Sequence, residues 1–228
     1  MSTETSTAPE TTETPATPTP PAASAKPTRA ARNAQALPVL EKLFSLYPGL
    51  FGADFLPLKR GIFQDLMQAH PEAFEKAALK EALSVHTRST RYLQAMASAK
   101  PRHDLQMQAV EPVAPEHVYA AVLELYRRRQ MRKQPDALSR LQRELTHAVQ
   151  ASGLGRTGYL AIAGTPEPDV AVALEEVLGQ VERVRAKDAA LLQAFDAAGK
   201  SVMDFAFAYG VPATQVRSML KRNGRADA

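Results

Sequence analysis

The sequence contains no cysteine. That absence excludes a disulfide framework, thiolate metal sites and a cysteine nucleophile, and it suits a reducing compartment. Long apolar runs are missing too. No charge-free stretch approaches the ~18 residues needed to cross a bilayer, and the N-terminus has no basic segment followed by an apolar core. A cytoplasmic protein without membrane contact is therefore expected. Catalytic signatures are also lacking: there is no GxSxG, HExxH, phosphate loop or GxGxxG. Gly153-Leu154-Gly155-Arg156-Thr157-Gly158 is glycine-rich, but it lacks a preceding strand and a Lys-Ser/Thr ending, so it reads as a connector. His70, His86, His103, His117 and His147 show no i, i+4 pairing, and neither a metal site nor a cofactor is expected. Nothing points to an enzyme.

What is present is ordinary globular composition, with 45% hydrophobic and 23% charged residues in 228. That length holds one core domain with appendages, or two small domains. The net charge of +4 permits a polyanionic partner without demonstrating one, so the placement of charge matters more. Residues 1–36 consist mostly of Thr, Ala, Pro, Ser and Glu, and they read as a disordered tail of polyproline character. From Leu37 apolar residues recur at helical spacing until Tyr47-Pro48-Gly49 ends the first helix. Further helical stripes follow at 62–67, 74–85 and 92–96. The alternation of Leu105, Met107 and Ala109 predicts a strand, one arm of a small hairpin. Pro115-Glu116 opens a helix that becomes basic at Arg127, Arg128, Arg129, Arg132 and Lys133.

Beyond Pro135 the pattern is again helical. One helix is predicted over 138–149, another over 170–185, and three short segments over 187–223. The expected division is thus a tail at 1–36, a domain at 37–134, and a helical C-terminal region at 135–228. Within the last, 200–223 resembles a helix-turn-helix in outline, with Thr214, Gln215, Arg217, Ser218, Lys221 and Arg222 at polar positions. It reads either as a DNA-binding element or, more in keeping with common helical hairpins, as a packing or protein-partner surface.

The informative segment runs from Lys76 to Arg102. Lys76 and Lys80 are four apart and share a helix face. Thr87-Arg88-Ser89-Thr90-Arg91-Tyr92 then places hydroxyl residues where a new helix begins. Thr87 or Ser89 can cap it, leaving the first backbone N–H groups pointing outward at the positive end of the dipole. Arg88 and Arg91 add cations, and Tyr92 adds a ring for stacking and a hydroxyl. The alternative is a capped helix with Tyr92 in the core and solvated arginines. The run at 127–133 is likewise open between a favourable helix end and a secondary phosphate-binding patch.

Four ordered segments bear on this choice: Pro57 to Leu66, Ala82 to Thr87, Arg91-Tyr92-Leu93, and Arg102-His103-Asp104-Leu105, preceded by Tyr47-Pro48 and Phe51. Their spacing resembles that of the ProQ/FinO family of bacterial RNA chaperones over about residues 37–125. The resemblance implies a mostly α-helical domain with a small β-hairpin, whose concave face takes the terminator-like hairpin and 3′ single-stranded tail of small RNAs and mRNAs. It implies stabilisation of those RNAs and promotion of RNA–RNA pairing. It also implies a 3′ end held at Thr87, Ser89 and Tyr92, with basic contacts from Lys59, Lys76, Lys80 and Arg102. The chain departs from the family pattern in several places. Lys80 stands where Arg is usual and lacks its planar fork. Ser84 replaces a frequent basic residue, His86 stands where Tyr is common, and Gln106-Met107-Gln108 occupies a turn usually made with Gly.

Overall fold

The computed structural model describes residues 28–52 and 54–225. It is mostly helical, with eleven helices among the described residues and one two-stranded sheet. The first helix, α1, runs over Arg29–Leu46, eight residues earlier than the apolar periodicity suggests. The expected tail is therefore too long at its C-terminal end, and its first 27 residues lie outside the described ones. Alanine explains the difference, because it favours helix without adding an apolar stripe. Thr28 caps the helix by accepting from the Ala31 N–H at 3.3 Å, and Ala36 is buried as α1 packs on α4. Pro38 is tolerated inside α1 because it and Ala34, whose carbonyl loses its donor, both face solvent.

Tyr47 ends α1, and Pro48 starts the single turn α2 (Pro48–Phe51), which buries Leu50 and Phe51. Helices α3 (Ile62–Ala69), α4 (Lys76–Thr87) and α5 (Thr90–Ala97) follow. The alternation read as a strand lies mostly in the turn of the hairpin, since Leu105 and Met107 fall between its arms, β1 (Arg102–His103) and β2 (Ala109–Glu111), which pair antiparallel with Arg102 opposite Glu111. The turn does without glycine. Asp104 Oδ1 accepts from the N–H groups of Gln106 and Gln108 at 3.0 and 2.9 Å, and Met107 adopts a left-handed φ of 60°. The Met107 side chain lies over Gly49, where an added Cβ would meet its Sδ at 2.0 Å. Gly49 is thus small because the hairpin tip rests on it.

Beyond the hairpin come α6 (Pro115–Met131), α7 (Ala137–Ser152), α8 (Arg156–Ala163), α9 (Pro168–Ala198), α10 (Val202–Tyr209) and α11 (Ala213–Arg222). Two expectations need correction. The glycine-rich stretch is not a bare connector, since Gly153 terminates α7 in a left-handed conformation and α8 follows at once. Tyr159 of α8 is fully buried and packs edge-on against Tyr119 of α6, with ring centroids 5.9 Å apart. The first of the three short segments beyond 187 is instead a continuation of α9, which passes through Gly179, holds no proline after Pro168 and ends only at the left-handed Gly199.

Packing places the boundaries elsewhere than composition does. One buried cluster runs from Ala36 to Val181 and crosses the expected division at 134/135, because α6 packs on α7 and α7 on α9. Polar ties reinforce it. The Tyr126 hydroxyl donates to Asp169 at the start of α9, and burial together with this bond pushes Tyr126 up to about 12. A second cluster joins the end of α9 to α10 and α11 through Phe195, Val202, Phe205, Val216, Met219 and Leu220. This second unit, not residues 135–228 as a whole, has a core of its own.

Candidate functional site

The α4–α5 turn is built from three local preferences. Thr87 closes α4 by donating its Oγ1 proton to the Leu83 carbonyl at 2.8 Å. Arg88 stays near the helical region, and Ser89 is extended, with φ −66° and ψ 151°. Extended backbone is what an N-cap needs, so Ser89 is the cap and Thr87 is not. Ser89 Oγ accepts from the Tyr92 N–H at 3.1 Å. The N–H groups of Thr90 and Arg91 have no intrahelical acceptor, and no hydrogen bond to them occurs among the described residues. Two donors at the positive end of α5 therefore remain available to an anion.

Along α4, Lys76 and Lys80 lie one turn apart, about 6 Å in rise, on a solvent-facing edge that continues through Ser84 to this turn. Lys76, Lys80, Arg88 and Arg91 are exposed, and none forms an ion pair among the described residues. The expected cations at the hairpin differ. Lys59 is paired with Asp65 at 2.8 Å. Arg102 is largely covered, donating from Nη1 to the Leu58 carbonyl at 2.9 Å and facing Glu111 at 3.8 Å. Its role in the fold is to hold the Leu58 segment against β1, where the Lys59 N–H also donates to the His103 carbonyl at 2.8 Å. Arg60 takes the remaining charge of Glu111 through a 2.6 Å contact.

Tyr92 settles one of the open alternatives. Its ring is only 6% exposed, and its hydroxyl accepts from the Leu58 N–H at 3.1 Å. Burial raises its pKa. This ring belongs to the core and is not presented for stacking. It faces the buried His86, whose ring centroid lies 4.8 Å from Phe51 and 4.4 Å from Phe55. Phe55 is only half-buried, and the Arg91 guanidinium lies over it at 5.9 Å from the ring centre. The accessible aromatic surface beside the turn is thus Phe55, which sequence reasoning missed because nothing in its spacing marks it.

His86 has no hydrogen-bond partner at Nε2 among the described residues, and burial lowers its pKa from the ordinary 6.5 to about 4. A depressed pKa means that the unfolded chain takes up the proton first. The stabilisation is then complete above pH 6.5 and is lost as pH falls through the window down to about 4. The loss is expected to approach about 3 kcal/mol. Urea midpoints at pH 7 and 4.5 should separate more for wild type than for His86→Leu; equal separations would remove His86 from the acid response.

The basic run on α6 divides as well. Arg127 pairs with Glu167 at 2.7 Å, Arg128 with Glu124 at 2.8 Å, and Arg129, 7% exposed, grips Glu144 with two bonds of 2.8 and 2.6 Å. Only Arg132 and Lys133 of this expected patch are exposed and without an ion pair among the described residues. Arg127 and Arg129 thus tie α6 to the start of α9 and to α7, while Arg128 bonds within α6 and to the α4–α5 turn. Among the described residues no group of three or more His, Asp or Glu is arranged to hold a metal ion. No helix among them is long and apolar enough to cross a membrane.

The arrangement is a helix-capped turn with two available amides and exposed cations, on a small α-helical scaffold with one hairpin. The model of the ProQ/FinO family matches residues 33–138. Among solved structures, the chain is similar to a FinO-like RNA chaperone from Neisseria meningitidis MC58, at 32% identity over 39% of this chain and 92% of that one, with a TM-score of 0.36. No curated protein gives a significant match. The chain belongs to the ProQ/FinO family.

Proposed function

We propose that the chain is a non-catalytic RNA-binding protein of chaperone type. It would take structured RNAs by a 3′ terminator-like hairpin and single-stranded tail, stabilise them, and promote their pairing with other RNAs. Family membership supports the general reading. The observation that carries the site is that, among the described residues, two amides without acceptors, on Thr90 and Arg91, share one side with four cations without ion pairs, Lys76, Lys80, Arg88 and Arg91. Amides and cations together neutralise phosphates, while base-edge reading is left to flexible single strands. Phe55 supplies the sequence-tolerant stacking surface that Tyr92 does not. Arg102 and Tyr92 support the site indirectly, by fixing the Leu58 segment between them.

Residues 33–138 form the binding unit in this reading, with α7 to α9 completing its core. The α10–α11 unit leaves Met203 and Phe207 exposed one turn apart on α10, at 61% and 92%. An apolar face of that kind favours a protein contact for this unit over DNA reading.

Lys76→Gln with Lys80→Gln leaves the core untouched. It is expected to weaken binding of a hairpin with a 3′ uridine tail at least tenfold and to reduce the salt dependence of log K by about one unit or more. Removing the tail should weaken wild-type binding as well. Unchanged affinity and slope in the double variant, measured by fluorescence anisotropy, would show that this edge does not contact RNA.

A further inference from the structure

A hollow of about 300 Å³ lies between α1, α4, the α4–α5 turn and α6. Arg32, Asn33, Glu81, Arg88, Ser89 and Arg128 line it. Each guanidinium comes from a different element, and Arg32 and Asn33 lie in the part of α1 that composition assigns to the tail. Arg128 is already oriented. Its Nε donates to Glu124 at 2.8 Å, and its Nη1 donates to the Arg88 carbonyl at 2.9 Å and to Thr90 Oγ1 at 3.3 Å. Nη2 is left without a partner among the described residues. Arg32 and Arg88 form no ion pair there either. Glu81 is the lone carboxylate on the wall, also without an ion-pair partner among the described residues.

We propose that this hollow is a ribose–phosphate subsite for the RNA strand as it passes the α4–α5 turn. The proposal rests on the RNA-binding reading above and deepens it. Guanidinium groups converging from several sides suit an internucleotide phosphate, whose oxygens accept from planar forks. Arg128, fixed by its other bonds, loses little freedom when it binds. A phosphate pocket needs no carboxylate, and Glu81 would oppose the anion if it had no other task. A ribose 2′-hydroxyl beside the phosphate gives it one, because that hydroxyl can donate to the Glu81 carboxylate while the arginines hold the phosphate. Deoxyribose offers no such donor. The subsite therefore reads sugar type, which neither the amides at the cap nor the lysines on α4 are placed to do.

The test compares full-length wild type, Arg32→Gln/Arg88→Gln, Glu81→Ala and Lys76→Gln/Lys80→Gln. Each is titrated against a hairpin carrying either an all-ribose 3′ tail or the same tail in 2′-deoxy form. Thermal melting checks that each variant is folded. The arginine variant is expected to bind the ribose tail about tenfold more weakly, with a salt slope lower by about 0.7 for each phosphate that is no longer neutralised. Wild type should favour the ribose tail severalfold, and Glu81→Ala should erase that preference. Wild-type behaviour of the arginine and Glu81 variants, alongside weakened binding by the lysine variant, would overturn the subsite and leave the general RNA reading standing. Wild-type behaviour of all three variants would overturn both.

Discussion

Replacing Tyr92 by alanine is expected to cost about 3–5 kcal/mol of folding stability, the range for removing a large buried aromatic side chain. The ring is 6% exposed and packed against His86, and its hydroxyl accepts from a buried backbone N–H. Loss of RNA binding in that variant would therefore say little about RNA. Tyr92→Phe separates the two roles. It keeps the ring and leaves the Leu58 N–H without an acceptor, which is expected to cost about 1–3 kcal/mol. Well below its unfolding midpoint, Tyr92→Phe should bind a tailed hairpin as wild type does. A full-stability Tyr92→Phe protein with strongly impaired RNA affinity would instead place the hydroxyl on the RNA.

Arg129→Ala is the second large effect. Arg129 is 7% exposed and makes two bonds to Glu144, which raise its pKa, and truncating it leaves a partly covered carboxylate unpaired. Breaking one side of such a pair typically costs about 3–5 kcal/mol, whereas replacing both partners by apolar residues of similar volume is often neutral. Arg129→Met/Glu144→Leu should therefore recover most of what Arg129→Ala loses in urea denaturation. Arg132→Ala, a few residues away and exposed, should fall within about 0.5 kcal/mol of wild type. If Arg132→Ala were as damaging as Arg129→Ala, the division of the basic run into ties and free charges would be wrong.

These two residues show what the sequence reveals and what it hides. The stripes of α3 to α5 and a hydroxyl cap at Thr87 or Ser89 were legible because each depends on neighbours a few positions apart: apolar periodicity and a hydroxyl before a helix. The burial of Tyr92 was not, since it depends on Leu58, 34 residues away. The pairing of Arg129 depends on Glu144, and the five basic residues within 127–133 look alike until α7 packs beside them. The start of α1 and the existence of α8 were hidden for another reason. Alanine- and glycine-rich segments have weak patterns of their own, and tertiary burial of Ala36 and Tyr159 decides their state. Family motifs point to Lys59 and Arg102 as RNA contacts, and their carboxylate and carbonyl partners are visible only in three dimensions.

The most direct test places a photoreactive uridine at the last position of a hairpin's 3′ tail, cross-links it to the full-length protein, and maps the attached peptides. The cross-links are expected on the segment from Arg88 to Leu93 and on Phe55, where free amides, unpaired cations and an accessible ring meet. Cross-links confined to α11 or to Arg132 and Lys133, with none at the α4–α5 turn, would contradict the placement of the RNA end at that turn.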